Sequence, residues 1–341
     1  MATAQVKSPF VPRPSLRNGH RMTLFGWGNP RYFPHLPRPV VRYFDVDHDA
    51  RVLAHCHWQR SPWRYPTIVV LHGLNGSSDA HYMQGIAAKA YARGMNVVRL
   101  NQRNCGDTEH LSAGLFHSGL TADVRYVVEE LIAVDGLGSI AVAGYSLGGN
   151  LALKLGGEYG AAAPAALTAL CAVSPIIEIS PCVRALERPG NFLYQWNFVR
   201  DLKRRMRRKE LFWPGRFDLT LLDRIKTVRD FDEAYTAPYF GFADAEDYYH
   251  RASAMRVVGR IGVPALVITS KDDPFVPLAP FSDEAITKNP HIRVLACQHG
   301  GHCGFVASPS DGDDGYWAER EIVEFVARQK AEDASTQPSA P

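Results

Sequence analysis

No stretch of this 341-residue chain approaches the roughly 18 apolar residues that a membrane-spanning helix needs. The first residues, MATAQVKSPFVPRPSLRNGH, hold no continuous apolar segment of the kind that marks a secretory signal, so none is expected. Cysteine is sparse: Cys56, Cys105, Cys171, Cys182, Cys297 and Cys303 make no Cys-x-x-Cys pair and no dense framework. That excludes a disulfide scaffold and points to free thiols in a reducing compartment, with the cytoplasm as the expected location. An excess of one charge is missing too. Lys and Arg number 38 against 35 Asp and Glu, and a net charge of +3 is too small to argue for a nucleic-acid partner. There are no internal repeats.

What is present is ordinary globular material, 46% hydrophobic and 21% charged, enough for a sizeable core. Residues 1–39 are rich in Pro, Arg and aromatics without periodicity and read as an irregular arm. VVRYFDVD (40–47) and RVLAHCHWQ (51–59) alternate like the strands of an antiparallel hairpin. The rhythm then changes. TIVVLHG, MNVVRLN, SIAVAG, ALTALCAVSP, PALVITS and RVLACQ are apolar runs, and helix-like patterns fill 80–93, 119–134, 147–159 and 316–330. Continuous apolar strands alternating with helices predict an α/β fold with a mostly parallel sheet covered on both faces. From about 176 to 255 the alternation stops, and this aromatic, basic segment reads as a helical cap inserted into one domain spanning 1–330. The polar tail 331–341 is expected to be disordered.

The segment SIAVAGYSLGGNLALKLGG places Ser146 between Gly144 and Gly148, where a buried strand meets a helix. Gly-x-Ser-x-Gly in that setting is a nucleophile elbow, a strained turn that projects the hydroxyl beyond the sheet's carboxyl end. A serine alcohol needs a base, and the base needs an orienting carboxylate, in the chain order Ser, Asp, His. VITSKDDPFVP follows a late strand and offers Asp272 and Asp273; QHGGHCGF follows the next and offers His299 and His302. Asp273, four residues before Pro277, is the candidate acid, leaving Asp272 a turn or capping role. His302, after two glycines in a loop able to carry it over the serine, is the candidate base, and His299 is read as a strand-end residue. The oxyanion of an acyl transfer needs two donors. The backbone N–H groups of Leu147, after the serine, and of Leu74, in LHGLNGSS, are the candidates. A zinc site from His299, His302 and Cys303 lacks a second ligand cluster, and His55 and His57 on one strand face are two ligands without a site.

Eight motifs in order, LRNGHRMT, LHGLNGSSDAHY, VVRLNQRNCGD, FHSGLTAD, GYSLGGNLALK, FDEAYTAPYFGFADAEDYY, DDPFVP and HGGHCGF, resemble the YheT-like branch of the α/β-hydrolase superfamily, which includes ABHD1/ABHD3-type lipid hydrolases. The resemblance implies the α/β-hydrolase fold and a serine hydrolase acting on ester bonds. It maps nucleophile, acid and base onto Ser146, Asp273 and His302. The chain departs from the family at His20-Arg21-Met22-Thr23, often His-Leu-Gln-Thr, and at Asn104, commonly Gly. Asn is the residue most tolerant of left-handed backbone after Gly.

The resulting expectation is a cofactor-free, metal-free carboxylic ester hydrolase whose partner is a small-molecule ester with an apolar acyl group. The rivals are an acyltransferase on the same triad and a non-catalytic binding protein on the same fold. In the cap, Val199, Leu202 and Met206 form one stripe of a helix-like stretch over 196–213, surrounded by Arg200, Lys203, Arg204, Arg205, Arg207, Arg208 and Lys209. The plainer reading is a solvated basic face. The sharper one is peripheral contact with an anionic membrane surface. Phe192, Leu193, Tyr194, Trp196, Phe198, Phe212 and Trp213 either bury one another or line an acyl pocket.

Overall fold

The protein is described here by a computed structural model covering residues 10–310 and 312–336. Eight strands form one sheet: β1 (Val40–Asp47), β2 (Ala50–His57), β3 (Thr67–Leu71), β4 (Asn96–Leu100), β5 (Ile140–Tyr145), β6 (Leu167–Val173), β7 (Ala265–Ser270) and β8 (Ile292–Cys297). Their spatial order is β1-β2-β4-β3-β5-β6-β7-β8. The hairpin β1–β2 joins β4 antiparallel, and every later pairing is parallel. Every residue of β3, β4, β5 and β7 is buried, as central strands between two helical layers must be.

The helices are α1 (Gly19–Gly28), α2 (His81–Ala92), α3 (Thr121–Ala133), α4 (Leu147–Tyr159), α5 (Ile179–Leu186), α6 (Phe192–Phe212), α7 (Val228–Phe231), α8 (Ala237–Phe240), α9 (Ala245–Ala252), α10 (Glu284–Thr287) and α11 (Trp317–Thr336). Alternate strand residues feed two cores. Ile68 and Val70 pack with Met83 and Ile86 of α2 and Ile322 of α11. Val69 and Leu71 face the other way, with Val127 of α3 and Leu151 of α4. This second core continues without a break into the insertion through Val199, Leu202 and Met206 of α6. The stripe read from the sequence is therefore the buried face, although the helix begins four residues earlier than expected, at Phe192.

Two expectations at the chain's ends need correction. The arm is not irregular throughout: α1 occupies Gly19–Gly28, with the Asn18 side chain accepting from the Arg21 N–H as its N-cap. The helix α11 runs past residue 330 to Thr336, so the expected disordered tail begins in helix, and residues 337–341 lie outside the described residues. Among the described residues no helix is long and apolar enough to cross a membrane.

Candidate active site

Ser146 lies between β5 and α4 with φ 54° and ψ −113°, a conformation that costs an L-residue free energy and persists only when its surroundings enforce it. The surroundings are glycines. A Cβ on Gly144 would stand 2.0 Å from the Gly148 carbonyl oxygen, and one on Gly148 would stand 2.5 Å from that of Leu71. The spacing Gly-x-Ser-x-Gly is thus a steric requirement of the turn. The Ser146 N–H donates to the Val173 carbonyl at 2.8 Å, tying the elbow to the end of β6.

Asp273 and His302 come together after β7 and β8. His302 Nδ1 lies 2.9 Å from Asp273 Oδ2, with the two side chains 11% and 0% exposed. Asp273 Oδ1 accepts from the N–H groups of Phe275 and Val276, so the carboxylate is held from three directions. Burial disfavours the His302 imidazolium. Neighbouring Cys303 and then Asp273 favour it more strongly, and the net pKa lies well above the usual 6.5. The His302 loop is tied to the elbow's own anchor: the Cys303 N–H donates to Ser174 Oγ, and Cys303 Sγ lies 3.7 Å from the Val173 carbonyl oxygen that Ser146 also uses. Among the described residues no hydrogen bond joins Ser146 to His302. Such contacts often tighten only when substrate is bound.

Asp272 and His299 form a second pair beside the first. Asp272 Oδ1 accepts from the Gly301 N–H at 2.9 Å, and Oδ2 lies 3.2 Å from His299 Nδ1. Asp272 thus braces the glycine turn that delivers His302, close to the capping role read from sequence. His299, His302 and Cys303 are not gathered as ligands; among the described residues the one group of that kind is Asp47, His48 and Asp49 in the hairpin turn. His55 bonds Ser78 Oγ, and His57 accepts from Arg99 Nε.

The candidate oxyanion donors are positioned by different means. Leu147 N–H is the first of α4, where helical geometry supplies no partner. Leu74 follows His72-Gly73. The fully buried His72 ring has its pKa pushed down to about 4 by burial, so it is neutral, with Nδ1 donating to the Gly73 carbonyl and Nε2 accepting from the Gln102 N–H. Among the described residues neither Leu74 N–H nor Leu147 N–H finds a protein acceptor.

Sequence reasoning missed Thr23. Its hydroxyl accepts from the His302 N–H at 2.8 Å and donates to the Gly19 carbonyl at 2.7 Å, so α1 of the arm buttresses the histidine loop. Gly26 packs against Gly304 of the same loop, closely enough that a Cβ would stand 2.9 Å from its Cα.

A cavity of about 940 Å³, counting its open mouth, has Ser146, Leu74 and Leu147 in its wall. Its lining is mostly apolar and comes largely from the insertion. Of the six cap aromatics and one leucine singled out, only Phe198 lines it. Tyr194 instead packs on Phe275, whose ring centroid is 4.1 Å from that of His302, while Phe192, Leu193, Trp196 and Phe212 are exposed and Trp213 Nε1 bonds the Glu109 carbonyl. Asn104 also lines the cavity with φ 62°, the left-handed conformation that Asn tolerates in place of Gly, and its Oδ1 accepts from Lys209 Nζ, a bond glycine could not make.

Residues 68–312 match the model of the alpha/beta hydrolase family. The chain is 32% identical over 309 residues to the "Putative esterase YheT" of Escherichia coli, covering 87% of each chain. It is 28% identical over 242 residues to the mouse phospholipase ABHD3, covering 71% of this chain and 58% of that one. Among solved structures, an esterase of Pyrococcus furiosus superposes with a TM-score of 0.57 over 88% of this chain and 98% of its own, at 14% identity, which speaks to the fold alone. With the sheet order, the elbow and this extent of similarity together, the chain belongs to the α/β hydrolase family, on its YheT-like branch.

Proposed function

We propose that this chain hydrolyses carboxylic esters through an acyl-enzyme on Ser146. The observation that carries the reading is the buried Asp273–His302 pair, anchored to the same β6 terminus as the strained serine. Ser146 Oγ attacks the ester carbonyl carbon while His302 Nε2 takes its proton. The tetrahedral oxyanion is met by the Leu74 and Leu147 N–H groups. The C–O bond to the alcohol breaks as His302 returns the proton to it. Water, deprotonated by the same histidine, then releases the acid. Asp273 holds the Nδ1–H tautomer and stabilises the imidazolium without becoming protonated. The names of the relatives, an esterase and a phospholipase, support the ester as substrate. The apolar cavity supports an apolar acyl group. All six cysteines are free thiols, as a cytoplasmic protein's would be.

The test is a series of p-nitrophenyl esters of increasing acyl length, together with a fluorophosphonate probe, on wild-type and Ser146→Ala protein. Turnover and a single adduct on Ser146, both lost in the variant, support the reading. No adduct on folded protein favours a binding protein, and product rising with an added alcohol at the expense of the free acid favours the acyltransferase.

A specific observation also favours membrane contact. Phe192, Leu193 and Trp196 are 64%, 68% and 52% exposed on the first turns of α6, and Phe192 and Trp196 line an open groove with Arg200, Lys203 and Arg207. Apolar and basic side chains in that arrangement suit an anionic lipid surface. Salt-sensitive sedimentation with anionic but not neutral vesicles supports this, and equal sedimentation with both overturns it.

A further inference from the structure

The helix α6 carries a run of basic residues, and most of those facing the protein are answered. Arg208 pairs with Asp107 and with Glu109, and Lys209 Nζ bonds Asn104 Oδ1 and the Ser112 carbonyl. Arg205 is different. It lies three residues after Leu202 and one before Met206, on the edge of the buried stripe, and all three line the cavity that holds Ser146. Its guanidinium stands 5.1 Å from the Phe116 ring centroid, and Phe116 is another wall of the same cavity. Among the described residues no carboxylate pairs with it. Its Nη1 is buried without a hydrogen-bond partner, the one such side-chain nitrogen or oxygen carried by a residue of this cavity.

That arrangement is expensive in isolation. A buried donor left unmade costs about 1–3 kcal/mol, and more when charged. A cation without a partner in a mostly apolar wall is accounted for when an anion arrives there. Apart from the Ser146 hydroxyl, the oxygen- and nitrogen-bearing side chains of the lining are engaged with the protein, among them Asp232 with Thr236 and Tyr249, and Tyr248 with Ser118. Arg205 shares the cavity wall with Ser146, Leu74 and Leu147.

We propose that Arg205 is a specificity-determining residue that binds an anionic group, a carboxylate or a phosphate, on the ester substrate. The inference rests on the ester-hydrolase reading and deepens it: the substrate is an ester with an apolar portion and a second, negatively charged group. The guanidinium's planar donors suit the paired oxygens of either anion. Phe116 beneath it holds the plane by a cation–π contact.

The test compares matched pairs. One pair is mono-p-nitrophenyl adipate against p-nitrophenyl hexanoate, equal in carbon count and differing by a terminal carboxylate. The other is 1-butyrylglycerol 3-phosphate against 1-butyrylglycerol. The readout is the ratio of kcat/KM within each pair for wild type, Arg205→Met and Arg205→Lys. Wild type is expected to favour the anionic member of at least one pair, and that pair identifies carboxylate or phosphate. Arg205→Met, which keeps the stem packed on Phe116, is expected to cut that ratio tenfold or more through KM, and Arg205→Lys to restore part of it. An equal ratio in wild type overturns the proposal. So does a loss in Arg205→Met that falls alike on both members, because a merely structural arginine would act that way. Turnover of the neutral esters with no Arg205 effect sinks this inference alone. If no ester is turned over and no fluorophosphonate adduct forms on Ser146, the hydrolase reading fails and takes this one with it.

Discussion

Two adjacent aspartates with two different histidines make the residue-scale question sharp. Asp273 has no exposed side-chain surface, bonds His302 Nδ1 and receives two backbone N–H groups. Asp272 is partly exposed and serves Gly301 and His299. If Asp273 sets the tautomer, Asp273→Asn lowers kcat by about 10⁴-fold, the size of effect seen when a triad carboxylate is neutralised. Asp272→Asn removes a brace and is expected to cost less than tenfold. Steady-state rates on one soluble ester rank the two, and the reverse order would move the acid to Asp272. If Ser146 and His302 act as a unit, Ser146→Ala and His302→Ala should each abolish most turnover, with the double variant little worse. His302 also sets a pH expectation. If His302 is the base it must be neutral to act, and its pKa is raised above 6.5 by Cys303 and Asp273 against the lowering effect of burial. The acidic limb of kcat/KM against pH should therefore fall with a midpoint above 6.5. A limb with its midpoint at or below 6.5 would show that the Asp273 carboxylate does not load the histidine.

At the scale of elements, what the sequence disclosed followed from burial. The strand β5 and helix α4 were legible because a six-residue apolar run meets an elbow whose glycines are sterically compelled. The helix α1 was not legible. Its sequence GHRMTLFGWG contains three glycines, poor helix formers, and only Gly19, Met22 and Thr23 are buried. Tertiary contact with the loop of His302 and Gly304 specifies it, and periodicity could not show that. The Asn18 cap was the available signal. Arg205 was hidden differently, counted among a basic face although its spacing from Leu202 put it on the buried edge. The α1 contact yields a prediction. Thr23→Val keeps the volume but strips the His302 N–H of its acceptor, a loss of about 1–3 kcal/mol. If α1 positions the base, kcat and the rate of fluorophosphonate labelling should both drop while KM holds, and Thr23→Ser should restore them. A fall in melting temperature with unchanged labelling would reduce α1 to a purely structural support.

Across the whole molecule, the insertion and the sheet are one body by the contacts that join them. The core on the α4 side contains strand, helix and insertion residues in a single cluster. Polar latches cross the same boundary: Asn75 Nδ2 to the Phe198 carbonyl, Asn191 Nδ2 to the Pro274 carbonyl, and buried Lys209 to Asn104 and Ser112. A cap held this way should not melt first. Calorimetry is expected to give one transition with matching calorimetric and van't Hoff enthalpies, and two resolved peaks would show an independent insertion. Lys209 makes the sign of the pH dependence testable. Burial pushes its pKa down to about 8 from 10.5, so the folded state disfavours the ammonium. A depressed folded pKa means that this group's contribution to stability is greatest above 10.5 and is lost as pH falls through about 8. Lys209→Met leaves Asn104 Oδ1 and the Ser112 carbonyl without their donor, and should lower the single melting temperature by several degrees. The gap between wild type and variant should widen as pH rises from about 8 towards 10.5. A gap that narrows over that range would mean the lysine stays charged in the folded protein, held by its two oxygen acceptors more firmly than burial opposes it.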